Sequence, residues 1–181
     1  MLESLNLEGT TVVITGGGTG LGRAMVKDMA RAGANLVIAG RRMAPLEEAA
    51  AEAETFGVKA MAVATDVTDS SQVANLMKTC LDEFGKIDVL LNNAGAVSDN
   101  VRKPIWELTD EEWDRIMRVN LTGAFYCSRD VSQTMVAQAH GKIINVASGF
   151  GLRGGRELYM YCCSQGCMIP LCRVLDQTRR R

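Results

Sequence analysis

A glycine-rich segment that directly follows a β-branched run constrains this chain more than any other feature. Residues 11–14 read TVVI, and residues 15–22 read TGGGTGLG before a helical pattern begins. Glycines at such a junction leave backbone N–H groups uncovered beside the positive end of a helix dipole, where phosphate binds well. The segment therefore predicts a nucleotide-binding strand–turn–helix unit, with a merely structural turn as the alternative.

Short β-branched runs alternate with longer helical patterns along the rest of the chain. Strands are predicted at residues 11–15, 35–39, 60–64, 89–91 and 142–147. Helices are predicted at residues 21–31, 45–56, 70–84 and 110–138, with a last helix that begins near residue 159. This alternation is typical of βαβ units, which right-handed crossovers wind into one α/β domain over residues 1–181. We expect a doubly wound, Rossmann-like parallel sheet of five strands in the order 3-2-1-4-5.

Composition excludes several classes of partner. The chain has 181 residues with 20 basic and 21 acidic side chains, so its net charge of −1 gives no reason to expect nucleic acid. No apolar run approaches the ~20 residues of a membrane span, and the N-terminus lacks the basic and apolar regions of a secretory signal. We therefore expect no membrane partner and a cytoplasmic location.

The six cysteines are expected to be packing thiols rather than metal ligands. Four of them, at positions 162, 163, 167 and 172, crowd the last twenty residues. Helical spacing puts Cys163 and Cys167 on one face, which is the arrangement that a metal site would need. The single histidine, His140, lies elsewhere, and no C-x-x-C pair exists. Reduced cysteine usually behaves as a small buried hydrophobe, so no metal is predicted.

Further short motifs accompany the glycine segment in a fixed order. They are Asp66-Val67, Asn92-Asn93-Ala94-Gly95, Val119-Asn120-Leu121-x-Gly123, Asn145-x-x-Ser148 and Tyr161. In order and spacing they resemble the short-chain dehydrogenase/reductase family, in its non-extended branch with a catalytic tyrosine. The resemblance implies an oxidoreductase that interconverts a carbonyl and a secondary alcohol on a small-molecule substrate, with a nicotinamide cofactor.

The resemblance also implies which residues hold the cofactor. Gly16, Gly20 and Gly22 would let the pyrophosphate approach the backbone, and Asp66 would accept a hydrogen bond from the adenine amine. The alternative for Asp66 is that it only caps the turn that follows. The complete predicted set is Thr15, Gly16, Gly18, Thr19, Gly20, Leu21, Gly22, Arg41, Arg42, Asp66, Val67, Asn93, Ala94 and Gly95.

The end of the second predicted strand favours NADP(H) over NAD(H). Dehydrogenases that prefer NAD carry an acid there, which holds the ribose 2′-hydroxyl. This chain has Gly40 at that position, followed by Arg41 and Arg42, whose charges suit a 2′-phosphate. The alternative is that the two arginines only solvate the loop before Pro45.

Four residues are assigned to catalysis by the resemblance. Ser148 would hydrogen-bond the substrate oxygen, and Tyr161, thirteen positions later, would act as the general acid or base. Asn120 would open its helix locally and hold a water in a proton relay; the alternative is a solvent-facing asparagine. Gln165 stands where the family has a lysine.

The departures from the family pattern keep a second class of function open. A glutamine carries no charge, and the loss of a nearby cation typically removes a 10- to 1000-fold preference for the ionised form of an acid, since such a cation moves a pKa by ~1–3 units. The chain also stops at Arg181, so we expect a C-terminally incomplete domain with an open fifth strand. The alternatives are an impaired nucleotide-binding protein, or a partner that assembles as a homo-oligomer through its 110–138 and 159-onward helices.

Overall fold

The computed structural model describes residues 6–97 and 103–178. Five strands form one sheet: β1 Thr11–Thr15, β2 Asn35–Gly40, β3 Ala60–Ala64, β4 Val89–Asn92 and β5 Lys142–Asn145. All neighbouring strands pair in parallel, and the order is β3-β2-β1-β4-β5. The predicted doubly wound sheet and its strand order are confirmed.

Seven α-helices connect and cover these strands in the described part of the chain. They are α1 Gly20–Arg31, α2 Met43–Glu54, α3 Ser70–Phe84, α4 Asp110–Met117, α5 Gly123–Ala137, α6 Phe150–Arg153 and α7 Tyr159–Thr178. Helices α1 and α2 pack on one face of the sheet through one apolar cluster, and α3 and α5 pack on the other face through a second. Strand β1 is buried over its full length because helices cover both faces and strands flank both edges.

The strand order reverses its direction of growth at β1, which lies between β2 and β4. Open α/β sheets bind ligands at the carboxyl ends of the strands beside such a reversal. The glycine-rich segment leaves the sheet at the carboxyl end of β1, and the Asn93-Ala94-Gly95 segment leaves it at the carboxyl end of β4. The fold thus brings two of the sequence motifs to one crevice.

Local signals in the sequence fix several helix ends. Asp69 caps α3, because its carboxylate accepts hydrogen bonds from the backbone N–H groups of Ser71 and Gln72. Gly85 ends the same helix in the left-handed conformation, with φ 70°. Strands β2 and β4 each end one residue later than predicted, whereas β5 ends at Asn145 rather than at residue 147.

The helix that the sequence predicts over residues 110–138 is interrupted. A π-helical turn at Arg118–Thr122 separates α4 from α5, and Asn120 is at its centre. The expected single helix is wrong in this respect, because helical periodicity alone does not reveal a local opening. A local opening at Asn120 is what the resemblance implies, and the place of Asn120 in a proton relay stays a prediction.

The cysteines only partly match the expectation of packing thiols. Cys80 and Cys127 are buried, but Cys163, Cys167 and Cys172 are exposed on α7. The expectation is wrong for these three: Cys163 and Cys167 lie on one exposed face of α7, and Cys172 lies toward β5, where it accepts a hydrogen bond from the Asn145 amide at 3.0 Å but stays exposed. No group of three or more His, Cys, Asp or Glu side chains within residues 6–97 and 103–178 is arranged to hold a metal ion. None of the helices described is long and apolar enough to cross a membrane.

Candidate functional site

The glycine-rich turn is closed so tightly that several of its positions exclude side chains. A Cβ on Gly22 would lie 2.1 Å from the carbonyl oxygen of Gly16, and a Cβ on Gly16 would lie 2.9 Å from the Cα of Ala94. Gly16 and Gly20 also have positive φ values of 69° and 55°. The turn between β1 and α1 therefore requires glycine for both space and backbone conformation.

The same turn presents a row of unused hydrogen-bond donors. Helix α1 begins after Thr19, whose side chain makes no capping hydrogen bond, and its first turn contains no acidic residue. Gly16 and Gly17 donate their N–H groups to the carbonyl of Ala39, but the N–H groups of residues 18–22 donate to no acceptor in the described structure. Five adjacent donors at the positive end of a helix form an anion-binding site.

Thr15 and Asn93 hold this turn against the end of β4. The Thr15 hydroxyl accepts hydrogen bonds from the N–H groups of Asn93 (3.1 Å) and Ala94 (3.0 Å). The Asn93 amide donates in return to the carbonyls of Thr15 (3.0 Å) and Gly16 (3.2 Å). Thr15 is 1% exposed and does not line the adjacent cavity, so in this structure it positions the turn from behind.

A cavity of about 520 Å³ opens in front of the turn. It is bordered by the glycine turn, the β2–α2 loop, the segment after β3, the segment after β4 and the end of α4. Its lining includes Gly16, Gly18, Thr19, Leu21, Gly22, Arg41, Arg42, Asp66, Val67, Asn93, Ala94 and Gly95. The predicted cofactor residues other than Thr15 and Gly20 are therefore brought together around one cavity.

Positive charge dominates this cavity. Four arginines line it, at positions 41, 42, 115 and 118, and Asp66 is the one acid among the lining residues that the structure describes. Arg115, Arg118 and Val119 were not identified from the sequence as binding residues. The only signal available was their position immediately before Asn120, and a charged helix face is more often simply solvated.

Asp66 is engaged within its own turn. Its Oδ1 accepts hydrogen bonds from the N–H group of Thr68 (2.9 Å) and from the Thr68 hydroxyl (2.8 Å). The turn-capping interpretation of Asp66 therefore holds in this structure. Asp66 is also half-buried and lines the cavity.

Asn120 is buried, and its amide joins three parts of the chain. It is 3% exposed, which excludes the solvent-facing alternative. Its Oδ1 accepts from the N–H group of Ala96 (2.7 Å), and its Nδ2 donates to the Ala96 carbonyl (2.9 Å) and to the Ser164 hydroxyl (3.0 Å). Ser164 in turn donates to the carbonyl of Tyr161 at 2.9 Å. The π-turn is thereby tied both to the end of β4 and to the helix turn that carries Tyr161.

Tyr161 and Gln165 line a smaller cavity of about 210 Å³, which the Asn93-Ala94-Gly95 segment also lines. Leu21, Asn93, Ala94, Gly95 and Ala96 line both cavities, so the two are adjacent. Gln165 is only 7% exposed, and its amide makes no hydrogen bond with any residue that the structure describes. None of the described residues around this cavity is charged.

Ser148 is not among the residues that line the Tyr161 cavity, although its neighbour Ala147 is. Ser148 follows β5, and its hydroxyl accepts a hydrogen bond from the N–H group of Phe150 at 3.2 Å. The structure therefore brings Asn120, Tyr161 and Gln165 together and leaves Ser148 at the border of the site.

The residues present fit a dinucleotide. The larger cavity has the volume of an ordinary ligand site, and the smaller one continues it toward Tyr161. The diphosphate would meet the N–H groups of residues 18–22, where glycine removes side chains that would block it. Arginines line the larger cavity and suit the phosphate groups of a dinucleotide, whereas the neutral amide of Gln165 in the smaller cavity suits an uncharged part of it.

Comparison with known proteins gives the same assignment. A family model described as short chain dehydrogenase matches residues 10–180. The chain is 33% identical over 176 residues to the 2-dehydro-3-deoxy-D-gluconate 5-dehydrogenase of Dickeya dadantii, covering 97% of this chain and 68% of that protein. It is 39% identical over 168 residues to the sorbitol dehydrogenase of Cereibacter sphaeroides, covering 92% and 63%. The crystal structure of an NAD+-bound xylitol dehydrogenase matches with a TM-score of 0.92 at 30% identity, over 98% of this chain and 67% of that one.

The chain spans about two thirds of the length of these relatives. The matched region contains the glycine turn, the Asn93-Ala94-Gly95 segment, the π-turn at Asn120 and the helix of Tyr161. These are the elements that line the two adjacent cavities. The family model covers nearly the whole chain, and the fold agrees with a solved relative at high structural similarity. The protein belongs to the short-chain dehydrogenase family.

Proposed function

We propose that this chain binds NADP(H) in front of the glycine turn and interconverts a carbonyl and a secondary alcohol beside Tyr161. The row of unbonded N–H groups at residues 18–22, opening on a cavity lined by arginines, carries the proposal. The matched relatives are named as dehydrogenases of a sugar acid, sorbitol and xylitol. We infer a small polyhydroxylated alcohol, or the corresponding ketone, as the substrate class.

The chain's own residues would manage the proton and the position of the substrate. When bound, the reduced nicotinamide supplies the hydride that the carbonyl carbon receives. Tyr161 donates its phenolic proton to the carbonyl oxygen, and in the reverse direction it accepts the proton of the alcohol. Ser148 donates a hydrogen bond to the same oxygen. Asn120 keeps the Tyr161 turn in register through Ser164.

Preference for NADP(H) over NAD(H) follows from the end of β2. Gly40 offers no carboxylate for a ribose 2′-hydroxyl, and the exposed side chains of Arg41 and Arg42 make no ion pair with the residues described. Two guanidinium groups without acidic partners suit a 2′-phosphate, because Arg–phosphate pairs are charge-assisted and bidentate.

The proposal is tested by titrating NADPH and NADH into the wild-type protein and into the double variant Arg41→Ala/Arg42→Ala. We expect NADPH to bind the wild type at least roughly 10-fold more tightly than NADH, and the double variant to lose that difference. Equal affinities in both proteins would remove the NADP(H) preference. Oxidation of NADPH is then followed with a panel of ketoses, and the absence of any turnover would remove the enzymatic part.

A second candidate function is nucleotide binding without turnover. It is favoured by Gln165, whose neutral amide replaces a cation beside Tyr161 in a cavity where no described residue is charged. A cation at that position would favour the ionised phenol that alcohol oxidation needs.

Gln165→Lys separates the two candidates, with Gln165→Met as an uncharged control of similar size. Turnover is measured as reduction of NADP+ by a polyhydroxylated alcohol, the direction that needs the ionised phenol. If the wild type is an enzyme, it catalyses this reaction with at least one such alcohol. If it is a binding protein, it takes up NADPH without turnover, and only Gln165→Lys gains activity. Activity gained equally by Gln165→Met would contradict the electrostatic explanation.

Assembly into a homo-oligomer through α4, α5 and α7 is a separate proposal. Trp113 on α4 and Phe125 on α5 are 41% and 45% exposed, and Cys163 and Cys167 are exposed on α7. Exposed large apolar side chains on adjacent helices are typical of a contact between subunits. Sedimentation velocity of the wild type and of Phe125→Glu tests it, since a monomer at micromolar concentration would exclude this assembly.

A further inference from the structure

Arg115 and Arg118 line the larger cavity but have no part in the proposed binding of the 2′-phosphate by Arg41 and Arg42. Arg115 lies in the last turn of α4, and Arg118 begins the π-turn. Residues three positions apart on a helix lie on one face. Both residues line the cavity together with Val119, the residue that precedes the buried Asn120.

The guanidinium group of Arg118 has no partner among the described residues. Its side chain is exposed and makes neither an ion pair nor a hydrogen bond with residues 6–97 or 103–178. Asp66 is the one acid among the described residues that line the cavity, and its Oδ1 accepts two hydrogen bonds from Thr68. Arg115 differs from Arg118 because its charge acts on Glu112. The pKa of Glu112 is lowered mainly by the hydrogen bond from Lys103 and to a smaller extent by the charge of Arg115. We therefore base the inference on Arg118.

The two groups of arginines come from opposite sides of β1. Arg41 and Arg42 follow β2, whereas Arg118 leads into the turn that Asn120 fastens to Ala96, just after β4. Strands β2 and β4 are the two neighbours of β1 in the sheet. The glycine turn at the end of β1 is thus flanked by guanidinium groups on both sides of the crevice.

We propose that Arg118, with Arg115 one turn before it, forms a second anion-binding wall of this cavity on the β4 side. The wall selects adenine nucleotides by total phosphate charge, in addition to the selection of a 2′-phosphate by Arg41 and Arg42. A cleft lined by one sign of charge concentrates ligands of the opposite sign and speeds their association. The inference deepens the proposed function and rests on it, because the ligand is the same dinucleotide.

The experiment measures the affinity of adenosine 2′,5′-bisphosphate, adenosine 5′-monophosphate and uncharged adenosine at low and at physiological salt. The proteins are the wild type, Arg118→Gln, Arg118→Lys and the control Arg31→Gln. Arg31 is the last residue of α1, at the opposite end of that helix from the glycine turn, and it does not line the cavity; its side chain pairs with Asp28. Thermal melting is recorded for each protein, so that a change in affinity is not confused with a change in folding.

We expect Arg118→Gln to weaken binding of the bisphosphate by roughly 3- to 30-fold at low salt, between the effects of an exposed ion pair and a charge-assisted hydrogen bond. Binding of adenosine is expected to stay unchanged, and the salt dependence of bisphosphate affinity is expected to become shallower. Arg118→Lys should recover most of the loss, and Arg31→Gln should match the wild type.

The outcomes distinguish this inference from the function on which it rests. Arg118→Gln that binds every nucleotide as the wild type does, at both salt concentrations, overturns the second wall while the NADP(H) preference stands. Weaker nucleotide binding by Arg118→Gln, together with equal wild-type affinities for NADPH and NADH, supports the wall and overturns only the 2′-phosphate preference. A folded wild type that binds no nucleotide overturns both.

Discussion

The central strand β1 and the edge strand β5 meet their surroundings in different ways. All five residues of β1 are buried, and the turn that follows it is fastened by reciprocal hydrogen bonds between Thr15 and Asn93. Strand β5 alternates exposed and half-buried residues, and Ile144 on it is 44% exposed. The strand that leads into the glycine turn is therefore buried over its full length, whereas β5, which ends just before residues that line the Tyr161 cavity, is an edge strand of the described sheet and is partly exposed.

The two cavities differ in the same sense. Around the glycine turn the backbone is so close that a Cβ would collide, and the unused donors all point to one kind of ligand, an anion. Around Tyr161 the Gln165 amide has no partner among the described residues, and the lining is neutral. This difference indicates that nucleotide binding is the more strongly specified of the two proposed properties.

A glycine-to-alanine substitution in the glycine turn is expected to have the largest effect. In Gly22→Ala the new Cβ would meet the Gly16 carbonyl at 2.1 Å, so the turn must move. We expect this variant to lose dinucleotide affinity by about 100-fold and about 1–3 kcal/mol of unfolding free energy. Urea denaturation and calorimetric titration measure the two effects.

Two further glycine-to-alanine variants separate the effect of a steric clash from the effect of backbone strain. Gly20→Ala has open space but a φ of 55°, so we expect a cost of about 1 kcal/mol from the left-handed conformation alone. Gly149→Ala has neither problem and should stay within about 0.5 kcal/mol of the wild type. If all three variants unfold alike, the tightness of the turn is not what distinguishes this region.

Asn120→Ala tests the polar junction between the two sides. It removes three hydrogen bonds from a buried amide and leaves the Ala96 N–H group without its acceptor. We expect unfolding free energy to fall by about 2–3 kcal/mol. Asn35→Ala is the matched control, because the half-buried Asn35 side chain accepts a single, solvent-accessible hydrogen bond from the backbone N–H group of Lys59, and its loss should cost less than about 1 kcal/mol. Equal losses in urea denaturation would mean that Asn120 is no more than an ordinary surface amide.

The buried thiols of Cys80 on α3 and Cys127 on α5 predict a fall in stability at alkaline pH. Burial raises the pKa of the Cys80 and Cys127 thiols from 9.0 to about 12, with smaller contributions from Asp88 and Asp130. Above the unfolded-state pKa the unfolded chain loses these protons while the folded chain keeps them, so unfolding free energy falls as pH rises from 9.0 toward about 12.

Each of these thiols contributes at most about 1.4 kcal/mol per pH unit. Cys127→Ala should therefore show a shallower decline of unfolding free energy in denaturation curves recorded at successive pH values. Identical slopes for the wild type and this variant would contradict the assignment of alkaline destabilisation to the buried thiol.

The smallest effect is expected at β5, the edge strand of the sheet among the described residues. An apolar edge strand favours association between chains, and a lysine on it is a common natural protection. We expect Ile144→Lys to raise the concentration at which light scattering detects association, whereas Leu152→Lys on α6, which is 80% exposed, should leave it unchanged. If both variants change association equally, the effect is one of net charge and not of the β5 edge.

The sequence predicted the sheet and the glycine turn well because both are encoded locally. The β-branched run before Thr15, the glycines after it and the helical pattern beyond them act within about twenty residues, and each supports the same unit. The break at Asn120 was anticipated only through the resemblance. Periodicity over residues 110–138 is continuous across it, since a π-turn adds a single residue to a helical turn.

Arg118 and the exposed cysteines of α7 could not be assigned from the sequence. A charged residue on an amphipathic helix faces water in most proteins, and only the packing of the π-turn against Ala96 places Arg118 at the cavity. Cys163 and Cys167 look like packing residues until the neighbours of α7 are known. In both cases the missing information was which tertiary surface covers a helix face.

The most direct test of the central claim follows the backbone N–H signals of residues 18–22 by nuclear magnetic resonance while NADPH is added to the full chain. We expect saturable shifts that are largest at these N–H groups and absent at the N–H group of Gly57, which lies beyond the end of α2. Binding of NADPH that leaves the five signals unmoved, or no binding of NADPH or NADH by the folded protein, would contradict it.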